Sequence, residues 1–166
     1  MTRERYIRMT ETTRRAVSRL PGGTKALRAP TLLCAAIYCA SLLYLMFIGD
    51  RRIIRAVIVP AVCFAVVTVL RPLIGKQRPY DRYGVPPVGA YKPGKGKSMP
   101  SRHTASAAAI ACAIAYVFPH PAVIACMALL SAVIGSLRVL SGQHDISDVL
   151  AALALSLVIS LVGYRL

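Results

Sequence analysis

The sequence predicts an all-α integral membrane protein: a bundle of about five transmembrane helices behind a basic N-terminal segment. Three observations predict this class. Of 166 residues, 56% are hydrophobic, and Trp is absent. The apolar residues are bunched, so that 31–48, 56–70, 104–118, 122–137 and 149–164 contain no Asp, Glu, Lys or Arg. Each run carries only scattered Ser, Thr, Tyr and Cys. With no polar stripe at helical spacing, each is apolar all round, as a helix in lipid is and a surface helix of a soluble bundle is not.

Residues 1–30 are read as a basic tail or interfacial helix, and 31–166 as the transmembrane domain. The stretch RERYIRMTETTRRAVSRL sets Tyr6, Thr10, Thr13, Val17 and Leu20 along one helical stripe with arginines around it, which suits a helix lying on anionic lipid. The same polarity also fits a disordered basic tail. A cleaved signal peptide is not expected, because the charged region is long and no small-residue cleavage site follows Ile48.

The five runs come next, and flanking residues help the shorter ones toward a span of roughly 17–25 residues. Ile53, Ile54 and Ile146 extend them, and Arg55 can snorkel from a first turn. The connections are unequal: 49–52 and 119–121 are minimal turns, whereas 71–103 is long, basic and rich in Gly and Pro. Counting sides alternately, the N-terminal segment, the long loop and the loop 138–148 share one membrane face. Of the 21 Lys and Arg, all but Arg51, Arg52, Arg55 and Arg165 fall on it, which makes it cytoplasmic by the positive-inside rule.

A net charge of +15 raises the question of nucleic acid. No basic helix with base-reading or stacking residues is present, and the charges sit beside membrane spans, so anionic lipid is the expected partner and nucleic acid is not. Cys34, Cys39, Cys63, Cys112 and Cys126 lie inside apolar runs without metal-ligand spacing and read as buried small hydrophobes.

Polar residues collect where helices end on the basic face: RPLIGKQRP from Arg71, PSRH from Pro100, and RVLSGQHDISD from Arg138. Arg71, Arg78 and Arg138 carry planar forks that match phosphate oxygens. Seven residues separate Arg71 from Arg78, which puts them on nearly one helical face if the helix continues that far. The start of the third span adds free N–H groups, with the Ser101 hydroxyl as a further donor. His144 and Asp148 are four apart, so on a helix the carboxylate can hold one imidazole nitrogen and leave the other free to attack. His103, from another helix, is placed to protonate a leaving oxygen. His120 lies in the turn on the opposite side and is read as incidental.

These residues carry a resemblance. The chain resembles the PAP2 (type 2 phosphatidic acid phosphatase) superfamily of membrane lipid phosphatases, whose pattern is Lys, six residues, Arg-Pro; then Pro-Ser-Gly-His; then Ser-Arg, five residues, His, three residues, Asp. Here these parts are Arg71 with Arg78-Pro79, Pro100 to His103, and Arg138 with His144 and Asp148. Three positions depart from it: Arg71 for the lysine, Arg102 for the glycine and Leu137 for the serine. Arg102 sets a long cation beside the acid histidine, where it can influence which headgroup is admitted.

The resemblance implies catalysis by His144, His103 and Asp148, with phosphate held by Arg71, Arg78, Ser101, Arg102 and Arg138. It implies a phosphohistidine intermediate on a lipid phosphate monoester or pyrophosphate, with no cofactor and no metal. The carboxylates agree: of six, two lie in the N-terminal segment and Asp50 on the far face, leaving Asp81, Asp145 and Asp148 as the only material for a two-metal site. Phosphatidate, phosphatidylglycerol phosphate and polyprenyl (pyro)phosphate are the substrate classes implied, in a multi-pass protein of the cell membrane. Two alternatives share the scaffold: a lipid phosphotransferase, and a phosphatase of a polyprenyl-phosphoryl sugar phosphate. Many relatives act on the outer face, whereas the charge count points this one inward. The loop 80–99 is expected over the entrance, with Tyr80, Tyr83 and Tyr91 in the headgroup region and Lys92, Lys95 and Lys97 drawing in anions.

Overall fold

A computed structural model describes residues 1–91 and 96–165, so Lys92 and Lys95 lie outside the described residues. All regular structure in the described residues is helical. In chain order come α1 (Arg3–Ser18), a 3-10 turn (Gly23–Arg28), α2 (Ala29–Phe47), α3 (Arg52–Ile74), the short α4 (Pro79–Tyr83), α5 (Arg102–Val117), α6 (Pro121–Leu140) and α7 (Ile146–Arg165).

The segments Gly23–Phe47, Arg52–Tyr83, Pro121–Leu140 and Ile146–Arg165 are long and apolar enough to cross a membrane. The remaining expected span is α5, at 16 residues about 24 Å long at ~1.5 Å per residue, less than the ~30 Å of a hydrocarbon core. Its position explains the tolerance. It packs against α2, α3, α6 and α7, so neighbouring helices rather than lipid cover most of its length.

Small side chains permit that close packing. Ala105, Ala107, Ala108, Ala109 and Ala113 of α5 are all buried. Cys34 of α2 and Met127 and Ile134 of α6 pack on one side of it, and Cys63 and Val67 of α3 with Ala152 of α7 on another. At Gly135 a Cβ would stand 2.9 Å from Val149 Cγ1, so only glycine lets α6 and α7 approach there. Inside the bundle Ser156 Oγ lies 3.0 Å from the Ala105 carbonyl and 3.3 Å from Cys63 Sγ, a polar tie among α3, α5 and α7. The outer surface is the inverse: Leu43, Phe47, Ile58, Leu129, Leu157 and Leu161 are exposed, as lipid-facing side chains are.

The N-terminal segment folds onto the basic end of the bundle. Tyr6, Thr10 and Val17 of the arginine-flanked stripe are buried, while Leu20 falls beyond the helix and is exposed. The Tyr6 hydroxyl lies 3.2 Å from the carbonyls of both Val85 and Gly142, and its ring packs 5.2 Å from that of Tyr83. Burial pushes the Tyr6 phenol up to about 12, so it remains a donor at any physiological pH. Gly142 makes this approach possible, with φ +74° and a notional Cβ only 2.5 Å from the Tyr6 hydroxyl. Helix α1 thereby braces both the 79–91 segment and the α6–α7 loop.

Candidate active site

The helix ends that close the basic face bring the three polar segments together. Helix α3 stops at Gly75, whose left-handed backbone (φ 65°) sends its N–H to the Arg71 carbonyl. This corrects the expectation of one continuous face: Arg78 lies past the helix in extended backbone, just before α4. Arg71 and Arg78 nevertheless line the same cavity, because the turn at Gly75 folds the chain back where a straight helix would have carried Arg78 away.

That cavity, of about 420 Å³, is walled by Arg28, Arg71, Arg78, Arg102 and Arg138, by His103 and His144, and by Gln143, Thr24 and Thr31 among others. No carboxylate lines it among the described residues, so the field inside favours anions. Several of the arginines are held in place. Arg71 donates to the Lys97 carbonyl. Arg78 donates to the Tyr80 hydroxyl at 2.8 Å, and Arg138 to Gln143 Oε1 at 2.9 Å and Thr31 Oγ1 at 3.4 Å. The Nε atoms of Arg71 and Arg78 are buried without a hydrogen-bond partner among the described residues, donors that phosphate oxygens would satisfy.

His144 is buried on this wall, and its Nδ1 lies 3.3 Å from Asp148 Oδ2. With Nδ1 engaged, Nε2 is the nitrogen left for chemistry. The turn is set locally, since the N–H groups of Gln143 and His144 both donate to the Arg138 carbonyl, at 3.1 and 3.2 Å. Asp148 is fully buried and completely committed. Lys76 Nζ reaches its Oδ1 at 2.5 Å, while Oδ2 accepts from the Ser98 hydroxyl and, at 3.1 Å, from the Asp145 N–H. Asp145 is engaged in turn by Arg82 at 3.1 Å and Lys76 at 3.5 Å.

Ser101 lies elsewhere than expected. Fully buried, it is not on the cavity wall; its hydroxyl accepts from Thr104 at 3.0 Å and its N–H donates to the Asp148 carbonyl at 3.0 Å. It links the start of α5 to α7 instead of reaching for phosphate. The other site residues named from sequence, Arg71, Arg78, Arg102, His103, Arg138 and His144, all line the cavity, with Asp148 behind His144. Val88, Gly89 and Ala90 complete the wall, fixed by the bond from the Val88 N–H to the Ser141 carbonyl at 2.8 Å.

Sequence reasoning missed Lys76, Ser98, Gln143 and the wall from Thr24 to Leu32. Lys76 carried one signal, a cation just after a helix-ending glycine while a buried carboxylate elsewhere required a countercharge. Segment 24–32 carried none, since its place on the cavity follows only from the packing of α2.

Burial pulls the His144 imidazole below the usual histidine range, outweighing the opposing pull of Asp148. The sign follows directly. A depressed value keeps the ring neutral and nucleophilic to more acid pH, so activity is lost as pH falls through that lower value, while this residue's share of stability is complete above the ordinary histidine value and is lost between the two. The acid limb of the kcat/KM profile is expected below pH ~6.5. A limb at or above that value, in a profile against a soluble phosphate monoester, would contradict a buried neutral nucleophile.

A helical membrane bundle with an arginine-lined cavity, a carboxylate-held histidine and a second histidine on the same wall defines a membrane phosphatase. The PAP2 superfamily model matches residues 52–166, and the chain belongs to that superfamily. Two solved structures share the fold. One is the crystal structure of Aquifex aeolicus LpxE, with TM-score 0.73 and 18% identity over 98% of this chain and 94% of that one. The other is that of the first transmembrane PAP2 type phosphatidylglycerolphosphate phosphatase from Bacillus subtilis, with TM-score 0.69 and 19% identity over 99% of this chain and 86% of that one. No curated protein sequence matches significantly.

Proposed function

We propose that this membrane phosphatase hydrolyses a phosphate monoester or pyrophosphate of a lipid of the cell membrane, through a phosphohistidine on His144. The substrate belongs to the phosphatidate, phosphatidylglycerol phosphate or polyprenyl (pyro)phosphate class. The observation that carries the reading is the single cavity holding His144, already oriented by Asp148, together with His103 and the arginines that would neutralise a phosphoryl group.

Nε2 of His144 attacks phosphorus, and the N–P bond forms as the P–O bond to the lipid side breaks. Protonated His103 gives its proton to that departing oxygen. Water then attacks the phosphohistidine, His103 takes the water proton, and the N–P bond breaks to release orthophosphate. Arg71, Arg78 and Arg138 stabilise the charge on the equatorial oxygens throughout. A lipid substrate is supported by a second, mainly apolar cavity of about 440 Å³, walled by Cys34, Ala35, Phe64, Ile110 and Ile134 and sharing Thr31, Arg102 and His103 with the first.

The test is a rapid quench with a lipid whose terminal phosphate is radiolabelled. Label bound to protein, stable to alkali and lost in acid, is expected in wild type and absent from His144→Ala. Burst-free turnover with no bound label at any quench time would contradict the covalent route.

A further inference from the structure

More cations line the active-site cavity than one phosphoryl group needs. Arg71, Arg78 and Arg138 are each tethered to a neighbouring protein group. Arg28 and Arg102 line the same cavity and have neither a hydrogen-bond nor an ion-pair partner among the described residues. Both are solvent-exposed, so their guanidinium groups are free to turn to an incoming anion, and the like charge gathered around the cavity favours one.

The position of this pair gives a direction. Arg102 lies on the walls of both cavities, at the junction of the arginine-lined chamber and the apolar groove. Thr31, one helical turn after Arg28, also lines both. A group held by these cations would therefore lie between the phosphoryl group at His144 and a hydrocarbon chain in the groove. Arg28 precedes the residues that match the family model, 52–166, and Arg102 lies within them. At about 420 Å³ the chamber is within the ~300–1,000 Å³ of small-molecule pockets, which leaves room for a headgroup larger than one phosphate.

We propose that Arg28 and Arg102 form a second anion subsite on the lipid side of the scissile bond, so that the preferred substrate carries two phosphates and the product lipid keeps one. This rests on the phosphatase reading above. Arg28 and Arg102 bind the retained phosphate as specificity-determining residues, and the terminal phosphate leaves as orthophosphate. The retained group is either the inner phosphate of a pyrophosphate or a phosphodiester that joins lipid to headgroup. Either one presents anionic oxygens to the same two guanidinium groups.

The experiment measures phosphate release in detergent micelles from three lipids: phosphatidate, with one phosphate; a polyprenyl pyrophosphate; and phosphatidylglycerol phosphate, with a diester and a terminal monoester. Wild type is expected to favour at least one two-phosphate lipid over phosphatidate by about tenfold or more in kcat/KM, the worth of a charge-assisted contact. Whichever of the two is faster identifies the source of the inner phosphate. In Arg28→Gln and Arg102→Gln that preference should shrink severalfold, mainly through KM, and Arg102→Lys should recover part of it. Each preference is a ratio within one preparation, so partial misfolding of a variant cancels. Equal use of all three lipids by wild type, or a ratio the glutamine variants leave unchanged, overturns the subsite while leaving the phosphatase intact. Failure of wild type to release phosphate from any lipid overturns the phosphatase reading itself.

Discussion

Replacing His144 with alanine is expected to lower phosphate release by about 10⁴-fold or more, the scale seen when the attacking group of a nucleophilic enzyme is removed. The effect should fall almost wholly on kcat. Arg71, Arg78 and Arg138 keep their own anchors at Lys97, Tyr80 and Gln143, so the phosphate cradle does not depend on the imidazole. The fold should survive as well. Without His144, Asp148 still accepts from Lys76, Ser98 and the Asp145 N–H, so no buried charge is stranded. Release of phosphate and thermal unfolding in detergent, measured on the same samples, separate the two effects. A variant within tenfold of wild type would assign the attack to another group; an inactive variant that also fails to fold would show that His144 serves the structure first.

Regularity along the chain made the bundle legible in sequence. Charge-free runs mark helices that must bury their backbone bonds in lipid; α3, α6 and α7 each contain one of them, and α2 and α5 each cover one to within a single residue. Burial was less legible, because packing decides it. The run 104–118 marks the extent of α5 closely, but no local rule announces that its alanines bury it among neighbours. Residues of the cavity were readable where they share one motif, as His144 and Asp148 do four apart. The extrapolation from Arg71 to Arg78 failed at Gly75, whose left-handed turn ends α3 between them. Ser101 was misplaced because a serine before a helix can turn either outward to a ligand or inward. Here Thr104 and the Asp148 carbonyl draw it inward. Lys76, Ser98 and Arg28 reach the site only through tertiary contacts, and such contacts leave no period in the chain.

Asp148→Asn should be nearly as damaging to turnover as loss of the nucleophile, for a different reason. The carboxylate holds His144 by Nδ1 at 3.3 Å and stabilises the cationic ring that forms when Nε2 takes a phosphoryl group. An amide can offer its NH₂ to Nδ1 instead, favouring the tautomer that carries its proton on Nε2 and cannot attack. A fall of about 10⁴ in kcat is expected, on the scale of the corresponding change in a serine protease triad. Stability should fall too, because Lys76 loses the negative charge 2.5 Å away and keeps Asp145 at 3.5 Å as its remaining carboxylate, with the Ser147 hydroxyl at 2.8 Å. Since the Lys76 side chain is 24% exposed, water softens that loss to about 2–3 kcal/mol, below the full cost of a broken buried pair. Lys76→Met supplies the contrast. It strips Asp148 of its cation but leaves the bond to His144, so it should destabilise the protein by at least as much while costing far less in kcat. If the two variants lost activity in the same proportion, Asp148 would be acting through the stability of the α3–α7 contact, and its orientation of His144 would carry no separate weight.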